Sequence, residues 1–92
     1  PIARAMQLTP FKPHYFNLHR STDAFSSGAE LRVDLIREFT TRVATPLSVA
    51  GGINLDNMKA IRDAGTAVVV VGGAITSARD PADVARKFKS LL

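Results

Sequence analysis

Cysteine is absent from these 92 residues, which excludes disulfides and thiolate chemistry within them and agrees with a reducing, cytoplasmic setting. Long apolar runs are also missing. The longest, Ala67 to Val71, falls far short of the roughly 20 residues needed to cross a bilayer, so no membrane is expected as a partner. No signal-peptide pattern, low-complexity tract or internal linker occurs in these residues. At 46% hydrophobic and 22% charged, the composition is that of a soluble globular domain. The net charge of +4 raises the question of nucleic acid. Yet the basic residues are scattered, and only Arg86, Lys87 and Lys89 cluster. A solvated helix face explains them better than a phosphate-tracking groove, so no nucleic-acid partner is expected.

What is abundant is glycine at two places. Val49-Ala50-Gly51-Gly52-Ile53 and Val70-Val71-Gly72-Gly73-Ala74-Ile75 each end an apolar run and precede a helix-like pattern. Glycine lets a backbone approach an anion closely, and neighbouring N–H groups at such turns supply donors. A single Gly-Gly is an ordinary strand-to-helix turn. Two in tandem, about one βα unit apart, match the phosphate site that follows strands seven and eight of a (β/α)8 barrel. A complete barrel takes roughly 250 residues. The 92 residues are therefore expected to form one partial domain, residues 1–92 providing strands six to eight. A fragment, a partly represented protein and a half-barrel all fit that expectation. Three strands alone would leave two unpaired edges.

The remaining pattern alternates helix and strand. Ile2 to Leu8 reads as a helix, Thr9 to Pro13 as a turn with two prolines, and Tyr15 to His19 as a short strand. Ser27-Gly28-Ala29-Glu30 fits a capping box. Leu31, Leu35, Ile36, Phe39 and Val43 then recur at helical spacing. Pro46 introduces a second strand, Leu47 to Ala50. Asn54 is placed to cap a helix with Leu55, Met58 and Ile61 inward, and Gly65 to stop it. Thr66 to Val71, with four consecutive valines, reads as a parallel strand covered on both faces. Asp80-Pro81 supplies N-cap and first residue of a last helix, with Val84, Phe88 and Leu91 inward. The order predicts an α/β fold of parallel strands with flanking helices. An open doubly wound sheet is also admitted by the pattern.

In parallel α/β folds, active sites gather at the C-terminal ends of strands. His19 and the polar residues Arg20, Ser21, Thr22 and Asp23 fall at such an end. A histidine there can exchange a proton near neutral pH or hydrogen-bond a substrate oxygen, or it can cap the strand. Both readings stand on position alone. His14, at the start of the same strand, is read as structural.

The segments at residues 3–5, 14–24, 46–53, 68–76 and 80–81 together resemble the C-terminal part of the orotidine monophosphate decarboxylase suprafamily. The nearest branch contains 3-hexulose-6-phosphate synthases and 3-keto-L-gulonate-6-phosphate decarboxylases. The likeness spans nearly the whole chain. The paired glycines are shared by many phosphate-binding barrels, whereas their combination with the His19 strand is more specific. In that branch, decarboxylases carry arginine where this chain has Thr22, threonine where it has Ala50, and arginine where it has Gly73. All three choices favour the synthase, although Thr22 is not the usual synthase residue.

The resemblance implies an aldol reaction joining formaldehyde to ribulose 5-phosphate, with Mg2+ as cofactor and a homodimeric assembly. It implies His19 as catalytic, Thr22 and Ala50 as substrate-binding, and Gly51, Gly52, Gly72 and Gly73 as phosphate-binding. The resemblance implies that the family's Mg2+ ligands and its Asp-x-Lys-x-x-Asp motif lie on earlier strands, and no Asp-x-Lys occurs here. These residues alone are therefore expected to bind no metal and to lack aldolase activity. Two alternatives remain: the decarboxylase or another phosphosugar barrel enzyme, and a non-catalytic half-barrel that binds phosphates or assembles with a partner chain.

Overall fold

The computed structural model describes residues 2–19 and 33–92. Helix α1 (Ile2–Leu8) runs into a 3-10 turn at Thr9–Phe11, closed by Lys12 in the left-handed region at φ 56°. The rest alternates: β1 (Phe16–His19), α2 (Val33–Arg42), β2 (Leu47–Ala50), α3 (Met58–Asp63) and β3 (Val68–Val70). A single helical turn, α4 (Gly73–Thr76), and helix α5 (Pro81–Ser90) follow. The strands form one sheet in the order β1-β2-β3, parallel at both pairings. Among the described residues no helix is long and apolar enough to cross a membrane.

Strand register decides which residues share a face. Phe16 lies beside Leu47, and Leu18, Val49 and Val69 form a row across all three strands. These side chains join one core with Ile2 and Ala5 of α1, Ile36 and Phe39 of α2, Met58 and Ile61 of α3, and Phe88 of α5. The Phe16 and Phe39 rings meet edge to face, centroids 5.9 Å apart, a geometry that aligns the positive edge of one ring with the negative face of the other. The alternate residues Asn17, Ser48 and Val68, then His19, Ala50 and Val70, form the rows of the opposite face. None of them belongs to the helix-covered core. A doubly wound sheet needs helices on both faces. Here the described helices cover one, as in a barrel wall, and that alternative is set aside.

Several local expectations need correction. The valine strand is shorter than predicted and is not covered on both sides, because Val68 and Val70 are each 49% exposed. It is the last strand of the described sheet, so its far edge lacks the second neighbouring strand that helps bury β2. The third helix begins at Met58, later than predicted, and Leu55 is 37% exposed on the turn before it. Met58 and Ile61 are buried as expected. The capping box at Ser27 and Glu30, and Leu31, lie outside the described residues. Val84 and Leu91 pack beside the core, and Phe88 is inside it.

The start of the last helix behaves as predicted. The Asp80 carboxylate accepts from the Asp83 N–H at 3.1 Å, and Pro81 occupies the first turn, where its missing N–H costs nothing. Arg86 and Lys87 of this helix are mostly exposed and pair with Asp83 at 3.8 and 3.1 Å.

Gly65 ends α3 at φ +103°, and a Cβ there would sit 2.7 Å from Thr40 Oγ1. That hydroxyl is already committed, donating to the Ala64 carbonyl at 2.6 Å. Gly65→Ala therefore forces an unfavourable backbone and displaces a tertiary hydrogen bond, at a cost of about 1–3 kcal/mol. In the full-length protein, urea denaturation should show a lower midpoint at unchanged slope. An unchanged midpoint would show that α2 and α3 can part here freely.

Candidate functional site

The C-terminal ends of all three strands open into one cleft of about 440 Å³. It is lined by His19 from β1, Ala50 to Asn54 from the end of β2 and the loop after it, and Val70, Gly72, Gly73 and Ala74 from the end of β3. Register makes this convergence unavoidable. His19 is paired with Ala50 and Ala50 with Val70, so the three residues form one row pointing away from the helices. His19 is exposed, and Ala50 beneath the row's centre is buried. His14 is exposed at the far end of the same strand, away from the cleft.

Every site residue expected from sequence that lies among the described residues lines this cleft: His19, Ala50, Gly51, Gly52, Gly72 and Gly73. Thr22 lies outside the described residues. Ile53, Asn54, Val70 and Ala74 also line it and were not singled out from sequence. From sequence, Asn54 is expected only as a helix cap. Its Oδ1 accepts the N–H groups of Asp56 and Asn57, both at 2.9 Å, so it closes a turn ahead of α3 while also bordering the cleft.

The two glycine turns differ in backbone. Gly51 and Gly52 adopt φ 92° and 78°, a pair of left-handed residues that side-chain-bearing amino acids enter at a cost. Gly72 and Gly73 have no such need, and a Cβ at either would meet nothing within 4 Å. The protein itself thus has room for a side chain at both. The Gly72 carbonyl accepts from the N–H groups of Ile75 and Thr76 at 2.9 and 3.0 Å. In a planar trans peptide the next N–H points the opposite way, so the Gly73 N–H faces out of the turn, at a residue that lines the cleft.

The described lining contains no carboxylate and no lysine or arginine. An anion here would meet backbone N–H groups, an amide and an imidazole, with no like charge to oppose it among them. Among the described residues no group of three His, Cys, Asp or Glu side chains is placed to hold a metal ion. The arrangement can bind a small anion through backbone donors and present one histidine to whatever is attached to it.

Known proteins resemble this chain in sequence and in fold. A family model described as Orotidine 5'-phosphate decarboxylase / HUMPS family matches residues 15–88. The chain is similar to the bifunctional enzyme Fae/Hps of Archaeoglobus fulgidus, 36% identical over 92 residues, covering 98% of this chain and 23% of that protein. It is also similar to the 3-hexulose-6-phosphate synthase of Bacillus subtilis, 31% identical over 90 residues, covering 98% of this chain and 43% of that one. Among solved structures, that of 3-hexulose-6-phosphate synthase from Salmonella typhimurium superposes with a TM-score of 0.86 at 36% identity, over 99% of this chain and 43% of that chain. The chain thus spans less than half the length of each of these relatives. The neighbours are TIM-barrel synthases, and the parallel strands with flanking helices described above are part of that fold.

Proposed function

The chain belongs to the orotidine 5'-phosphate decarboxylase / HUMPS family, and on that footing we propose that it supplies the phosphate-binding part of a 3-hexulose-6-phosphate synthase-like aldolase. Residues 1–92 would then provide the sixth to eighth strands of the barrel, and the substrates would be formaldehyde and ribulose 5-phosphate. One observation carries the reading. Both glycine turns and His19, separate in sequence, border the same cleft at the strand ends. Relatives named as this synthase support the choice of reaction, as do Ala50 and Gly73 at positions where the resemblance gives the decarboxylase larger residues.

In this reading the backbone N–H groups of Gly52 and Gly73 hold the phosphate, and the left-handed Gly51 permits the turn that brings them close. The phosphate is remote from the reacting carbon. Its binding fixes the sugar in a reactive orientation, converting an encounter of three partners into a positioned reaction. Proton removal from the carbon beside the ketone gives an enediolate, which adds to formaldehyde with formation of one C–C bond. The new alkoxide then takes up a proton. His19, at the end of β1 beside the first turn, would hold or deliver a proton at a substrate oxygen. The divalent cation implied by the family finds no set of three ligands among the described residues. A cytoplasmic homodimer belongs to the same proposal.

The test is to incubate the full-length protein with 13C-formaldehyde and ribulose 5-phosphate and follow the products by NMR. Incorporation of label into a hexulose 6-phosphate is expected. Loss of CO2 from 3-keto-L-gulonate 6-phosphate in a parallel incubation, without incorporation of formaldehyde in the first, would reassign the chain to the decarboxylase. Binding of the sugar phosphate with neither reaction would make it a non-catalytic binding module.

A further inference from the structure

The two glycine turns present their N–H groups by different means. After β3, the Gly72 carbonyl is tied down by helical backbone bonds from Ile75 and Thr76. After β2, the corresponding carbonyl, that of Gly52, is held by a side chain: Asn57 Nδ2 donates to it at 2.9 Å. The other end of the same amide is also used, since Asn57 Oδ1 accepts the Asn54 N–H at 2.8 Å. With one end donating to a carbonyl and the other accepting from an N–H, the amide has a single satisfied orientation. It joins Gly52 to the turn that leads into α3.

We propose that Asn57 is a positioning residue for the anion site, fixing the Gly52–Ile53 peptide so that the Ile53 N–H is a donor to the bound phosphate. There are no cis peptide bonds among the described residues. In a trans peptide the carbonyl and the following N–H are antiparallel. The Gly52 carbonyl points to Asn57, which does not line the cleft, so the Ile53 N–H points away from Asn57. Ile53 does line the cleft, although its side chain is buried in the core. Its contribution to the cleft therefore comes from its backbone side. Restraint is needed at this point because Gly51 and Gly52, both at positive φ, can rotate with little steric resistance. A freely turning peptide would present carbonyl oxygen to the anion as readily as N–H. Asn57 thus does for the first turn what helical bonds do for the second.

This inference rests on the phosphate-site reading, and the experiment separates the two. Inorganic phosphate is titrated calorimetrically into the full-length protein, into Asn57→Ala, into the similarly sized Asn57→Leu, and into Thr40→Ala. The Thr40 variant removes a hydrogen bond to the Ala64 carbonyl far from the cleft and reports loss of stability alone. Phosphate affinity should fall roughly tenfold in both Asn57 variants, the loss of one well-aimed donor, and stay unchanged in Thr40→Ala despite a lower melting temperature. In the parent protein, the Ile53 amide proton should move downfield on adding phosphate, an NMR reading that needs no variant. Parent binding with unchanged affinity in the Asn57 variants would overturn the inference alone. So would a stationary Ile53 amide, or an equal loss in Thr40→Ala. No phosphate binding by the parent would overturn the anion site itself.

Discussion

His19→Ala in the full-length protein should reduce formaldehyde addition to ribulose 5-phosphate by roughly 10²–10⁴-fold, the range for removing a positioned acid–base group. The position makes the result easy to interpret. His19 is exposed and lies outside the helix-covered core, so truncating it leaves no cavity in packed hydrophobic surface. Its strand neighbour, Ala50, is small and does not crowd the imidazole. The loss should therefore appear in kcat, with melting temperature and inorganic-phosphate affinity both nearly unchanged. His19→Asn, which keeps a hydrogen-bonding group without an equivalent proton, should recover little. A change confined to melting temperature, with turnover intact, would assign His19 to capping its strand.

Much of this site was legible in sequence because its parts announce themselves by backbone need. Gly51, Gly52, Gly72 and Gly73 end apolar runs, and alternation along Phe16 to His19 and Leu47 to Ala50 places His19 and Ala50 at the same end of parallel strands. The β2 boundaries, the Asp80 cap and the Gly65 stop follow from local chemistry that tertiary contacts reinforce. What sequence could not give was the fate of the valine run. Val68 to Val71 has one composition whether a strand is central or at an edge, and only the sheet order reveals that Val68 and Val70 are half exposed. Leu55 faces outward for a reason equally hidden in sequence. The turn at Asn54 to Asn57 uses side-chain acceptors for its N–H groups, which delays α3 and rotates Leu55 outward. Asn57 itself carried a faint signal, a second asparagine three residues after the first, but nothing local shows that its amide reaches back to Gly52.

Gly72→Val should weaken ribulose 5-phosphate binding roughly 10²-fold, the equivalent of losing one or two charge-assisted hydrogen bonds to the phosphate, whereas Gly73→Ala should change it little. Both residues line the cleft, and at both a Cβ would meet no protein atom within 4 Å. A Cβ at either position therefore meets open space in the fold, and the expected difference between the variants comes from what occupies the cleft. Gly72 stands where β3 gives way to α4, and its carbonyl anchors the turn. A branched side chain there projects into the space through which the anion reaches the Gly73 N–H. Gly73 begins the turn itself, and the family resemblance implies that the decarboxylase branch places arginine at this position, so a methyl group is tolerable. Calorimetric titration of the full-length protein and both variants decides the matter, with inorganic phosphate as competitor and ribulose as the uncharged control. Ribulose should bind weakly and equally to all three, since it lacks the group that the turns recognise. If the parent bound ribulose as tightly as its phosphate, the glycines would be turn-formers only, and the cleft would have no claim to be an anion site.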